Sequence, residues 1–137
     1  MYFGLSEEQQ SLEDNIKKYL EDNASLDTIK EVASGNTAKS ADIHKGLLEL
    51  GVSGLMVPEQ YGGLELDMLF ASVVSGALGS GTAPVPYAGA YVMAPIALTL
   101  AGTDTQKENW LPKICLLYTS DAADDMQCVD LGGRRII

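Results

Sequence analysis

Residues 68–103 read MLFASVVSGALGSGTAPVPYAGAYVMAPIALTLAGT and contain no formally charged side chain. An uncharged run of this length is buried either in a membrane or in a protein core. Glycines at 79 and 81 and prolines at 84, 86 and 95 interrupt it, so neither half offers the roughly 18 unbroken apolar residues of a spanning helix. The stretch therefore predicts two buried core helices, Asp67–Leu78 and Tyr87–Ala101, joined by a Gly/Pro turn.

Capping signals predict one helix near the start of residues 1–114 and another near their end. Ser6 with Gln9 three residues later forms a capping-box pattern, and the helix it starts is expected to end near Asn23. Thr103 with Gln106 repeats the pattern and starts a last helix.

Two shorter helices are expected between the first helix and the uncharged run. One follows Ser25, and the other runs from Ser40 to Gly51, which is placed as the glycine after a helix C-terminus. The side chains expected to face the core from these two helices and from the last one are Leu26, Ile29, Val32, Ile43, Leu47, Leu50, Trp110 and Leu111.

Residues 52–63 predict a buried extended segment that runs into a turn at Gly62-Gly63. Within it, Glu59 near Tyr61 is interpreted as a turn-stabilising carboxylate in preference to an acid/base group. No segment shows strand alternation of useful length. The fold class predicted for residues 1–114 is all-α, a bundle of five or six helices.

Composition excludes several classes of function. The net charge is −10, which disfavours nucleic acid and anionic membranes as partners. The single histidine, His44, is interpreted as an exposed helix residue, and it leaves little scope for a metal site or a triad. No secretory signal opens the chain, so a cytoplasmic location is expected. From the residues alone, no catalytic, cofactor-binding or metal-ligating residue is assigned.

Three motifs in order resemble one family, the FAD-dependent acyl-CoA dehydrogenases. They are FGLSEEQQ at residues 3–10, LGVSGLMVPEQYGG at 50–63 and AGTDTQKENWLPKI at 101–114. The resemblance covers essentially all of residues 1–114 and implies the family's N-terminal helical domain.

The resemblance implies a function for a longer parent protein, which is α,β-desaturation of an acyl-CoA thioester. In the family a glutamate removes the α-proton and the β-hydrogen leaves as hydride to the flavin. That glutamate and most flavin contacts belong to later domains, so this chain alone is expected to be inactive and to bind no FAD. An electron-transfer acceptor and a homo- or hetero-oligomer are further expectations. The N-terminal domain walls the acyl pocket, which makes Tyr87, Tyr91 and Met93 candidate pocket residues.

Residues 115–137 resemble the conceptual translation of a sequencing adaptor. CLLYTSDAADD at 115–125 and VDLGGRRII at 129–137 match its two flanks, and an index would lie between them. We therefore expect a non-native, unstructured tail, with the natural domain cut off near Ile114.

Three alternatives stay open. The parent could be an acyl-CoA oxidase or a non-catalytic subunit of a heteromeric dehydrogenase. The chain could also be a free-standing helical binding or scaffold domain, which predicts a monomer with no exposed apolar face.

Overall fold

A computed structural model describes residues 4–115 of the chain. Within this range the secondary structure is helical, without strands, and comprises six α-helices, one 3₁₀ turn and one π-helix. The α-helices are α1 (Glu7–Asn23), α2 (Leu26–Ala33), α3 (Thr37–Glu49), α4 (Met68–Ser80), α5 (Ala94–Ala101) and α6 (Asp104–Cys115). The 3₁₀ turn is Glu59–Tyr61 and the π-helix is Tyr87–Met93. The all-α prediction with five or six helices is confirmed.

The core lies where α1 packs against α4, with α3 beside α1. Ile16 and Leu20 of α1 and Val74 and Ala77 of α4 are almost completely buried there. The chain passes close to α1 at Gly81, where an added Cβ would lie 2.9 Å from Leu20 Cβ. A side chain at position 81 would therefore push the end of α4 away from α1.

Both predicted capping boxes are present. The amide of Gln9 donates to Ser6 Oγ (3.2 Å), and the Ser6 amide donates to Gln9 Oε1 (3.0 Å). The amide of Gln106 donates to Thr103 Oγ1 (3.3 Å), and the Thr103 amide donates to Gln106 Oε1 (2.9 Å). Each pair satisfies amides at a helix start that the helix itself cannot satisfy.

Two predicted segments differ from the structure. The third helix starts at Thr37, not at Ser40, because the Asn36 side chain accepts from the Lys39 amide (3.3 Å) and caps it. Residues 52–57 are buried as predicted but are not extended. Amide-to-carbonyl bonds from Gly54 to Gly51 and from Val57 to Gly54, both 3.3 Å, wind them into successive turns.

Two expected core side chains face solvent. Leu111 is fully buried, but its neighbour Trp110 is 55% exposed, with the Lys113 ammonium 4.9 Å above its ring. Neighbouring residues on a helix point about 100° apart, and on α6 this turn places Leu111 toward the core and Trp110 toward solvent. Leu26 is 70% exposed, and α2 buries none of its residues.

The predicted tail, residues 115–137, lies outside the described residues except for Cys115. Pro112 does not end the last helix, which continues to Cys115. Among the described residues, no helix is both long and apolar enough to cross a bilayer.

Candidate functional site

The predicted helix Tyr87–Ala101 is present, but its first half is wound differently. Residues 87–93 form a π-helix, in which the Ala94 amide donates to the Gly89 carbonyl five residues earlier. π-Helical turns are rare and occur frequently at functional sites. The element starts directly after Pro86, and α5 continues from it without a break. The predicted pocket residues Tyr87, Tyr91 and Met93 therefore lie on a helical segment of unusual winding.

The three predicted pocket residues do not share one environment. Tyr87 is 6% exposed and Tyr91 is 4% exposed, so both belong to the core. Met93 is 68% exposed. Burial raises the pKa of the Tyr87 phenol to about 12, so the hydroxyl keeps its proton at neutral pH. A role for these residues in a pocket stays a prediction.

His44 is a partner of Tyr91, which the sequence analysis missed. His44 Nε2 lies 2.6 Å from Tyr91 Oη, and the two rings are tilted by 51° with centroids 5.7 Å apart. The interpretation of His44 as an exposed helix residue is therefore wrong: burial lowers the pKa of the imidazole and favours its neutral form. The bond ties α3 to the π-helix.

Exposed apolar side chains form a stripe along the outer face of this region. Met93, Ala97 and Leu100 are all exposed, and they recur at i, i+4 and i+7, which places them on one helix face. All three lie within the uncharged run of residues 68–103 in the sequence. We call these three residues the apolar stripe. An exposed stripe of this kind is typical of a surface that another element covers, and it counts against a free-standing domain.

The glycine-rich motif at residues 50–63 builds a closed loop. Gly51 and Gly62 have positive φ, at 81° and 89°, a conformation that favours glycine. Gly63 lies against the backbone of Val57. Residues 64–66 then bond back onto the turn segment, with the Leu64 amide donating to the Gly54 carbonyl (2.9 Å) and Leu66 to Leu55 (2.8 Å).

The carboxylate that stabilises this loop is not the one expected. Glu65 Oε2 accepts from the Glu59 backbone amide (3.1 Å) at the start of the 3₁₀ turn. The prediction that the Glu59 side chain has this role is therefore wrong. The motif has a structural function here, because its glycines, together with the Glu65 carboxylate that follows it, serve backbone geometry.

Residues 4–115 do not fit FAD. The α-helices that begin from a loop have their first amides occupied by their own side chains, those of Ser6, Ser25, Asn36, Asp67 and Thr103. Each cap occupies one or two of the four amides that are free at its helix start, which leaves less of that N-terminus for a diphosphate. Two surface cavities of about 210 and 250 Å³ are smaller than the roughly 300–1,000 Å³ of typical ligand pockets. The described residues also bring no three metal-ligating side chains together.

The match to a known protein family covers the same residues as the helices described above. The family model described as the acyl-CoA dehydrogenase N-terminal domain matches residues 6–116. The chain is 37% identical over 98 residues to (2S)-methylsuccinyl-CoA dehydrogenase of Cereibacter sphaeroides, covering 69% of this chain and 18% of that protein. It is 32% identical over 114 residues to mitochondrial isovaleryl-CoA dehydrogenase of Bos taurus, covering 81% of this chain and 26% of that protein.

The chain thus spans about a quarter or less of the length of these curated relatives. No solved structure matches it. The matched segment begins at the Ser6 cap and ends just beyond α6, so it includes every helix described above. The chain belongs to the acyl-CoA dehydrogenase family, and residues 6–116 are its N-terminal domain.

Proposed function

We propose that this chain is the N-terminal part of a flavin-dependent dehydrogenase that desaturates an acyl-CoA thioester, and that its apolar stripe forms one wall of the acyl pocket. The apolar stripe carries the proposal. Met93 and Leu100 are 68% and 81% exposed, so their apolar surface stays in water until another part of the enzyme or the substrate covers it. Tyr91, held by His44, anchors the same helical segment from the core side.

The role of this domain in the reaction is to exclude water and to shape the pocket. An apolar wall without charged groups keeps water from the acyl chain and strengthens electrostatic interactions at the reacting carbons. In this proposal the base and most flavin contacts belong to domains of the parent enzyme that follow the N-terminal domain. A separate electron-transfer acceptor, an oligomeric enzyme and a cytoplasmic location remain part of the proposal.

The test starts with the genomic DNA beyond codon 114. The complete reading frame is expressed, and the purified protein is mixed anaerobically with methylsuccinyl-CoA or isovaleryl-CoA, the thioesters in the names of two relatives. We expect a yellow protein whose flavin absorbance is bleached by one of these or by another acyl-CoA. A reading frame that stops near codon 114, or a colourless protein, would contradict the proposal.

The wall itself is tested with a matched pair of methionine variants. Met93→Ala removes a side chain from the apolar stripe, whereas Met68→Ala removes another exposed methionine, at 56% against 68%, from the start of α4. We expect Met93→Ala to change the ratio of kcat/KM values between short and long acyl-CoA substrates, because it enlarges the pocket. Met68→Ala leaves that ratio unchanged. Equal effects of the two variants on this ratio would contradict the proposal that the apolar stripe lines the acyl pocket.

A further inference from the structure

The π-helix contains a turn that is one residue wider than an α-helical turn, and His44 holds the tyrosine inside it. The turn is closed by the Ala94 amide, which donates to the Gly89 carbonyl. We propose that His44 is a positioning residue. Its bond to Tyr91 holds the wider turn, and the turn sets which side of α5 faces the acyl pocket. The second of these statements rests on the proposed function.

The residues inside the turn do not hold its winding by themselves. The Ala90 amide still donates to the Pro86 carbonyl (3.0 Å), four residues earlier as in an α-helix, so both windings occur within one short element. A Cβ added at Gly89 would meet no neighbouring atom within 4 Å, so packing does not fix the backbone there. The α winding is far commoner than the π winding. Contacts from outside residues 88–90 must therefore favour the wider turn.

Two such contacts meet at Tyr91. Its side chain is 4% exposed, and its Oη lies 2.6 Å from His44 Nε2. Its carbonyl lies four residues before Pro95, which has no amide and whose ring crowds a carbonyl at that position of an α-helix. Pro95 is fully buried, so it cannot turn away into solvent. The proline disfavours the α winding, and the bond from α3 fixes the direction of the tyrosine side chain.

The wider turn sets the direction of the apolar stripe. One additional residue in a turn rotates everything that follows by about 100° relative to a continued α-helix. With the turn in place, Tyr87 is 6% exposed and Met93 is 68% exposed. If residues 90–94 wound as an α-helix, the angle between these two side chains would change by about that rotation. A residue that holds the turn therefore positions Met93 without contact to the substrate.

Four variants separate the bond from the packing around it. His44→Asn and His44→Gln carry the same amide, which both donates and accepts, but only the glutamine is long enough to reach the place of Nε2. Tyr91→Phe removes the bond from the other side and keeps the buried ring. Tyr87→Phe is its matched control, because the Tyr87 hydroxyl is also buried and has no hydrogen-bond partner within residues 4–115. The bond-breaking variants are His44→Asn and Tyr91→Phe, and the bond-keeping variants are His44→Gln and Tyr87→Phe.

The first readout is the backbone hydrogen bond itself. In the isotope-labelled 137-residue chain, NMR couplings across hydrogen bonds show whether the Ala94 amide is bonded to the carbonyl of Gly89 or of Ala90. We expect the Gly89 coupling in the wild-type chain and in the bond-keeping variants. The bond-breaking variants should lose it or show the Ala90 coupling instead. A Gly89 coupling that persists in a folded bond-breaking variant overturns the proposal. If His44→Asn does not fold, Tyr91→Phe decides.

The second readout is substrate preference in the complete enzyme. The bond-breaking variants should change the ratio of kcat/KM values between short and long acyl-CoA substrates about fivefold to tenfold, and His44→Gln should keep the wild-type ratio. Loss of the Gly89 coupling with an unchanged ratio overturns the positioning role. Failure of the proposed function is recognised separately, by a colourless protein or by an unchanged ratio in Met93→Ala, because the NMR readout needs neither flavin nor substrate.

Discussion

Replacing Gly63 with alanine tests whether the glycine-rich loop closes as described. An added Cβ would lie 2.5 Å from the carbonyl carbon and from Cβ of Val57, and closer still to the carbonyl oxygen. Val57 is fully buried, so its backbone cannot move into solvent to make room. The shortest of these contacts, 2.0 Å to the carbonyl oxygen, must lengthen by about 1.4 Å to reach the 3.4 Å of an ordinary contact, so the two segments must separate.

That separation sets the size of the effect. It loosens the backbone hydrogen bonds that close the loop, from Leu64 to Gly54 (2.9 Å), Glu65 to Val57 (3.0 Å) and Leu66 to Leu55 (2.8 Å). Overpacking costs about 1–3 kcal/mol, and the bonds, each contributing about 1 kcal/mol when intact, are only partly weakened, so we expect Gly63→Ala to lower the free energy of unfolding by about 3 kcal/mol. The corresponding fall in Tm is about 10 °C.

Gly54 in the same motif supplies the control. A Cβ there would meet Cys115 Sγ at 3.6 Å and Gly63 Cα at 3.8 Å, which are ordinary contacts. Gly54→Ala should therefore change the free energy of unfolding by less than about 1 kcal/mol. Urea unfolding of both variants, followed by far-UV circular dichroism, measures the difference. If Gly63→Ala is no more destabilising than Gly54→Ala, residues 63 and 57 do not approach as described.

The remaining predictions concern the core and the π-helix. Tyr91→Phe leaves the His44 ring without its partner and should lower the free energy of unfolding by about 1 kcal/mol in urea titrations; no loss would mean that the bond contributes nothing. Burial lowers the pKa of His44, so the unfolded chain binds the proton more tightly. Stability should therefore fall as the pH drops through about 6.5, and His44→Gln should show a smaller fall over the same range. Leu111→Ala should lower the free energy of unfolding by about 2–5 kcal/mol because Leu111 is fully buried. Trp110→Ala, at an exposed position, should lower it by less than about 1 kcal/mol. Thermal melts of both variants measure the difference, and equal losses would contradict the orientation of α6.

Features that depend on neighbouring residues were predictable from the sequence. The capping pairs Ser6–Gln9 and Thr103–Gln106 lie within one helical turn, so their chemistry is readable without knowing the fold. Gly51 was placed correctly because a helix C-terminus needs a residue that tolerates positive φ. The missing charges predicted two buried helices at residues 67–101, but burial is limited to one face: Val74, Ala77 and Tyr87 are buried, whereas Met93 and Leu100 are exposed.

Features that depend on distant residues were not predictable. His44 and Tyr91 are 47 positions apart, so only the packing of α3 against the π-helix reveals the bond. The π-helix also escaped detection, because a periodicity of 3.6 residues describes α-helices and the small residues of 87–93 leave the winding open. The exposure of Met93 and the burial of Tyr87 depend on that winding.

The second helix, α2, opens more easily than the rest of the domain. α2 has no fully buried residue and makes its main contacts with α3, with Ile29 partly buried against the core, so its eight residues can separate while exposing little of the core. Backbone amides from Leu26 to Ala33 therefore exchange with solvent by local opening, while those of α1 and α4 wait for global unfolding. A protease that samples the native ensemble meets this segment first, and a cut there leaves the packing of α1 on α4 in place.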